Sequence, residues 1–263
     1  LTMAARARRV RVLLWVILPA VVLVLLITGL VLFFLFRDRA TPVEVADITV
    51  AVSGEGPGAS GLYTYETAGY ETTDALTGAR HDYPAESYLT IQPGGCGVLV
   101  RWQVLQERWD EWDYCADGTL AGRQNYHEWF QIPNLDVWAC SPGVPSQGEP
   151  GETWAGTCTR AAASNMEEGA EESIYEVVGF ETLTVAGEQV ETLHIRTTSA
   201  GSGVSSSSDI IDTWMLPGTF LVVRQAATGE SANHSRIGLV NYYEEYEIHL
   251  VSLEPSSPAE PSS

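Results

Sequence analysis

Cys96, Cys115, Cys140 and Cys158 are the side chains of this chain best suited to chemistry, and their spacing selects among metal binding, thiol redox exchange and disulfide formation. Neither a Cys-x-x-Cys pair nor a nearby histidine supplies zinc-ligand spacing, so no metal site is expected. An even number of cysteines, all beyond an apolar N-terminal run, reads as two disulfides in an oxidising compartment. Four cysteines allow three connectivities. If residues 94–115 fold as an antiparallel hairpin with Cys96 opposite Cys115, the same register sets Trp102 against Trp109 and Arg101 against Asp110, with the turn at 104–107. Disulfide, aromatic pair and ion pair then arise from one choice of register. Cys140 and Cys158 are left to pair, closing a Pro- and Gly-rich loop, a staple worth about 3 kcal/mol.

The remaining chemistry is sparse. The sequence holds no Gly-x-Ser-x-Gly elbow, no His-Glu-x-x-His, no phosphate loop and no Rossmann fingerprint. It also holds no lysine, which excludes Ser-Lys and Schiff-base mechanisms. His81, His127, His194, His234 and His249 are dispersed and read as surface or strand residues, while Asp110, Glu111, Asp113 and Asp117 lack the spacing of a calcium loop and read as a solvated edge. No catalytic residue is assigned, no cofactor is expected, and the chain is read as a non-enzyme. Most of its tryptophans belong to core packing. Trp102, Trp109, Trp129 and Trp214 are the candidates to line a ligand cleft.

The elements that must carry these residues read as strands. Tyr63 and Tyr65 alternate with Thr64 and Glu66, Val190, Thr192, His194 and Arg196 alternate with Glu191, Leu193, Ile195 and Thr197, and Tyr242, Glu244, Tyr246, Ile248 and Leu250 share one parity near the end. Such runs, punctuated by Gly, Pro, Asn and Asp, indicate antiparallel sheet. The stretch 210–225 reads as two strands broken at Pro217 and Gly218; 149–158 and 198–209 read as loops, and 160–173 as a short helix or loop. Within 94–115 a helix also fits, because Val98, Trp102, Leu105, Trp109 and Trp112 recur at helical spacing. Gly94, Gly95 and Gly97 at one end and Asp117 and Gly118 at the other favour the hairpin.

Ahead of the strands, residues 12–36 carry no charge, a length that predicts a single transmembrane helix. Arg6, Arg8, Arg9 and Arg11 before it predict a cytoplasmic N-terminus and an uncleaved anchor. The expected order is a cytoplasmic basic segment (1–11), a membrane helix (12–36), a linker (37–61), an extracytoplasmic β domain (62–253) and a disordered tail (254–263). Residues 1–39 hold six Arg and one Asp, net +5, whereas 40–263 hold eight Arg and 33 acidic residues, net −25, which together make the chain's −20. So acidic an outer part excludes nucleic acid as a partner.

The stretches "YTYETAGYE", "RHDYPAESYLTI", "GCGVLVRWQVLQERWDEWDYC", "GETWAGTC" and "GLVNYYEEYEIHLVSLEP" resemble an uncharacterised family of signal-anchored extracytoplasmic actinobacterial proteins. "GFETLTVAGEQVETLHIRTT" with "DTWMLPGTFLVVRQ" is similar to the sheet core of periplasmic lipoprotein-carrier-like half-barrels. The resemblance implies a mainly β fold, a membrane helix followed by an antiparallel half-barrel or sandwich with two disulfides. It further implies a membrane-anchored binding or carrier module for an apolar envelope ligand, with membrane lipid around the first helix. The alternative is an accessory domain that contacts a cell-envelope protein complex and has no ligand pocket.

Overall fold

The structure, a computed structural model, describes residues 17–30, 33, 37–50, 52–141, 148–160, 169–203, 205–235 and 238–256. The basic segment 1–11 and the tail beyond 256 lie outside the described residues, as do both ends of the expected membrane helix and most of the 160–173 stretch. Thirteen strands follow one another: β1 Gly61–Thr73, β2 Ala79–Asp82, β3 Glu86–Pro93, β4 Gly97–Leu105, β5 Arg108–Cys115, β6 Leu120–Trp129, β7 Ile132–Ser141, β8 Thr153–Arg160, β9 Gly169–Val185, β10 Glu188–Gly203, β11 Ser205–Met215, β12 Val222–Ser235 and β13 Gly238–Leu250. From β3 to β13 each strand lies beside its sequence neighbour, and β13 returns to pair with β1.

That last pairing overturns the expectation of an open half-barrel or sandwich. Nine residue pairs, from Tyr65 opposite Leu250 to Thr73 opposite Tyr242, join the two ends of the sheet. The result is a closed twelve-stranded antiparallel barrel, with β2 as an extra strand on the far half of β1. Alternation is the same in an open and a closed sheet, which is why the sequence pattern misses closure; closing removes the unpaired backbone edge an open sheet would expose. Gly69 shows how tightly the seam is made. It holds φ at 153°, and a Cβ there would lie 2.4 Å from the Glu245 carbonyl oxygen and 2.6 Å from Tyr246 Cα.

The transmembrane helix is a second correction. Among the described residues no helix is long and apolar enough to cross a bilayer. Residues 17–30 and 33 are helical. This helix belongs to a small unit of its own with residues 37–39 and 129–132. In that unit the Phe130 N–H donates to Asp38 Oδ1 at 2.7 Å, and Phe130 and Gln131 both take positive φ (54° and 61°). The barrel wall in its turn carries exposed Glu66, Glu172, Glu176, Arg196 and Glu245 at outward positions, where a lipid-facing barrel presents an apolar band.

The opening hairpin exists as β4 and β5, so the helical alternative for 98–112 does not. Its register is displaced by one: Arg101 faces Glu111, Trp102 faces Asp110 and Gln103 faces Trp109, with a turn of two residues, Gln106 and Glu107. A slip of one residue exchanges the two faces of a strand pair. Trp102 and Asp110 therefore point inward together, and Arg101, Glu111 and Trp109 outward. Cys96 still reaches Cys115, and Cys140 faces Cys158 directly across β7 and β8. Two stretches expected as loops are strands. Residues 153–158 lie in β8, and 198–209 forms the paired ends of β10 and β11, where backbone pairing outweighs the low strand preference of Ser and Gly.

Residues placed in the linker also pack on the barrel. Val43 and Ile48 are buried with the outward-facing Leu62 and Tyr88, and the Thr41 N–H and hydroxyl donate to the Glu107 carboxylate at 2.8 and 2.7 Å.

Candidate buried charge network and barrel mouth

Inward positions divide the barrel into two regions. One is filled by Tyr63, Tyr65, Leu89, Ile91, Val100, Trp102, Val104, Ile248 and Leu250, all nearly inaccessible. Trp102 stacks on Tyr246 with centroids 4.6 Å apart and donates its indole N–H to Ser87 Oγ at 2.9 Å. Further along the same strands the inward side chains become charged. Glu71 of β1, completely buried, lies 2.8 Å from His81 Nδ1 of β2 and 3.1 Å from His127 Nδ1 of β6, and accepts the Tyr242 hydroxyl of β13 at 2.9 Å.

Arg108, at the start of β5, ties this carboxylate to two others. Its guanidinium donates to Glu244 at 3.0 and 3.1 Å and to Asp110 at 2.7 Å, with Glu71 at 3.8 Å. Asn125 donates to Asp110, and the Tyr83 hydroxyl to Glu244. Across the interior Arg123 of β6 holds Glu171 of β9 through two parallel hydrogen bonds of 2.8 and 2.9 Å. Ion pairs and hydrogen bonds of this kind offset the cost of taking the charges out of water. Arg108 Nη1 is an exception, a buried donor with no hydrogen-bond partner among the described residues.

The electrostatics follow from these contacts. Burial acts to raise the Glu71 pKa, but hydrogen bonds from His127 and His81 and the charges of His127 and Arg108 outweigh it and bring the carboxyl down to about 2. Burial, reinforced by repulsion from Glu244 and Glu71, pushes Tyr242 and Tyr83 well above the usual phenol range, which keeps both as neutral donors. Asp209 of β11 is different in kind. Burial first, then repulsion from Glu171, raises it to about 7, and Arg123 only partly opposes the shift.

Above this network the barrel opens into a cavity of ≈ 640 Å³. Four of its lining side chains, Thr73, Ser207, Ser231 and Tyr242, stand in register on neighbouring strands β1, β11, β12 and β13. They occupy the same inward face as the network, and Tyr242 belongs to both. Asp74 closes the rim by binding the backbone N–H and side-chain amide of Asn241.

The tryptophans proposed as a ligand cradle are not brought together. Trp102 is core. Trp109 lies on the outside of β5, stacked on Tyr126 at 5.4 Å with Arg101 over its face at 3.8 Å. Trp129 is half-buried at the end of β6. Trp214 sits on the outside of β11 between His194, stacked at 4.1 Å, and Arg224. Asp110, expected on a solvated edge, is buried, because the displaced hairpin register turns it inward beside Arg108. The residues that do assemble, Glu71, His81, Arg108, His127, Tyr242 and Glu244, had one signal in the sequence. Glu244 shares its parity with Tyr246, Ile248 and Leu250, and a charge on the apolar face of a strand is buried unless the pattern is broken.

No protein-family model matches the sequence, and no curated protein matches it. Among solved structures, the hypothetical lipoprotein YmcC of Escherichia coli K12 aligns over 76% of this chain and 85% of its own, at 10% identity and a TM-score of 0.35. The comparisons give no support to an actinobacterial membership.

Proposed function

We propose that this chain is an extracytoplasmic binding module whose barrel mouth takes a small polar, hydroxyl-bearing ligand, and that it acts without catalysing a reaction. The observation that carries this reading is the hydroxyl-lined cavity at the mouth. Its ≈ 640 Å³ falls within the roughly 300 to 1,000 Å³ of small-molecule sites. Thr, Ser and Tyr hydroxyls both donate and accept, which suits a polyol or sugar. An acyl chain is a poor fit, since the apolar half of the interior is occupied by its own side chains. Glu71 already accepts from three side chains, so its lone pairs are committed to structure, which favours recognition over proton transfer. Two disulfides with no free cysteine support an oxidising compartment, and the acidic balance disfavours nucleic acid.

Isothermal titration of the intact chain with sorbitol, glucose and N-acetylglucosamine tests the proposal. At least one is expected to bind saturably, and Ser231→Trp, which fills the cavity, is expected to weaken it at least tenfold. Absence of binding by all three, or binding that Ser231→Trp leaves unchanged, refutes it.

A further inference from the structure

The helix of residues 17–30 and 33 is apolar on every side. Four successive positions of a helix point about 100° apart and together cover its circumference. Leu23, Val24, Leu25 and Leu26 are four such positions, and each is 57 to 65% exposed. Thr28 is the one polar side chain between 17 and 30. A helix that docks in a protein groove pairs an apolar stripe with a polar back. Here a groove, or the helix of a second copy, would cover one side and leave the others in water, whereas lipid covers all of them.

Charge identifies the same occupant. Arg6, Arg8, Arg9 and Arg11 precede the apolar run and Arg37 and Arg39 follow it, so residues 1–39 carry net +5 against −25 for the rest of the chain. An anionic head-group layer attracts the first segment, by about 1 kcal/mol for each Arg near the surface, and repels the second.

The β6–β7 turn, residues 129–132, belongs to the same compact unit as the helix. It is tied to the two residues that follow the apolar run: the Phe130 N–H donates to Asp38 Oδ1 at 2.7 Å, and the Gln131 side-chain amide donates to the Arg37 carbonyl at 3.3 Å. A two-residue turn with positive φ at both central positions ordinarily carries Asn-Gly. Phe130 and Gln131 hold 54° and 61° instead. Trp129, at the end of β6, is half-buried, and Ile132, at the start of β7, is exposed. Indole rings of this kind settle at the boundary between lipid and water.

Independently of the mouth, we propose that the helix and the β6–β7 turn form one docking surface for an anionic lipid membrane. The helix is buried among acyl chains, Trp129 and Ile132 lie at the level of the head groups, and the arginines of residues 1–39 pair with lipid phosphates.

Flotation of the intact chain, freed of detergent, with vesicles of phosphatidylcholine alone or with one quarter phosphatidylglycerol tests the proposal. The chain is expected to float with the mixed vesicles, reaching half recovery at no more than a tenth of the lipid that phosphatidylcholine alone requires, and 500 mM NaCl is expected to remove that difference. The double variant Leu25→Glu with Leu26→Glu is expected to stay at the bottom of the gradient with an unchanged near-ultraviolet dichroism spectrum, because the barrel is a separate compact unit. Ile132→Glu is expected to raise the lipid requirement at least threefold, and Trp129→Phe to reduce the quenching of tryptophan fluorescence by lipids brominated near the head group. A chain that stays down as a soluble oligomer assigns the helix to a second copy and overturns the proposal, as does equal recovery with both vesicles at low salt. Flotation that Ile132→Glu leaves unchanged, with quenching that Trp129→Phe leaves unchanged, removes the turn from the surface. Sugar titration at the mouth is a separate readout, so neither reading falls with the other.

Discussion

The two halves of the barrel interior are built on the same strands with the same alternation, yet they are held together by different physics. In the half around Trp102, Tyr65 and Ile248 the inward side chains exclude water from each other's surfaces, and the strength grows with the apolar area removed. In the half around Glu71, Arg108 and Glu244 the inward side chains are charged, and each is stable only because its partners are in place. The first half tolerates exchange of one apolar shape for another; the second depends on a set. The open cavity lies beside the second, where small hydroxyl side chains replace the large rings.

Truncation should separate the two halves first. Trp102→Ala removes the largest buried side chain and its bond to Ser87, and is expected to destabilise by about 4 kcal/mol in urea unfolding. A loss under about 1 kcal/mol would show that the aromatic half is not the packed one. Glu71→Gln keeps the volume but removes the charge facing His81, His127 and Arg108, and is expected to cost about 3 kcal/mol. The effect should fade in acid. The Glu71 carboxyl is near 2 in the folded chain, below its unfolded value near 4.5, so its contribution is present above about pH 4.5 and is lost as pH falls toward 2.

Asp209 gives the opposite sign. Its folded pKa of about 7 exceeds the unfolded value near 3.9, so the folded chain binds the extra proton between these limits and stability declines as pH rises from about 4 to 7. Asp209→Asn should therefore stabilise the chain by about 3 kcal/mol at pH 8 and change little at pH 4. A parallel shift of the unfolding midpoint at both pH values would rule out a carboxyl whose pKa is raised in the folded chain. The smallest effect belongs to the outer wall. Arg101 and Glu111, 3.8 Å apart and partly exposed, repeat the residue types of the inner Arg108–Glu244 pair. Glu111→Gln should change stability by under about 0.5 kcal/mol, and a loss above about 2 kcal/mol would erase the distinction between the two faces.

Much of the wall could be read directly from the residues. The Tyr63 and Tyr65 alternation becomes β1, Pro217 and Gly218 do separate β11 from β12, and Tyr242, Glu244, Tyr246, Ile248 and Leu250 are the inward side of β13. The site was not readable in the same way. Glu71 contacts His81 across 10 residues, His127 across 56 and Tyr242 across 171. Nothing in the local pattern of any one strand names the strand beside it. The displaced β4–β5 register shows the same limit at short range, since the Cys96–Cys115 link is compatible with pairing the flanking residues in either of two adjacent registers.

Period-two alternation, four cysteines and a strongly acidic composition are properties of the chain, and they specify strand identity, side-chain parity, the supply of disulfide partners and the kind of surface presented to water. Closure through β13 and β1, the choice of which parity faces inward at the hairpin, and the convergence of Glu71, His81, Arg108 and His127 depend on pairing between distant segments. Backbone hydrogen bonds are the same for every residue type, so pairing is selected by the packing of the whole interior, and that packing exists only once the barrel is closed.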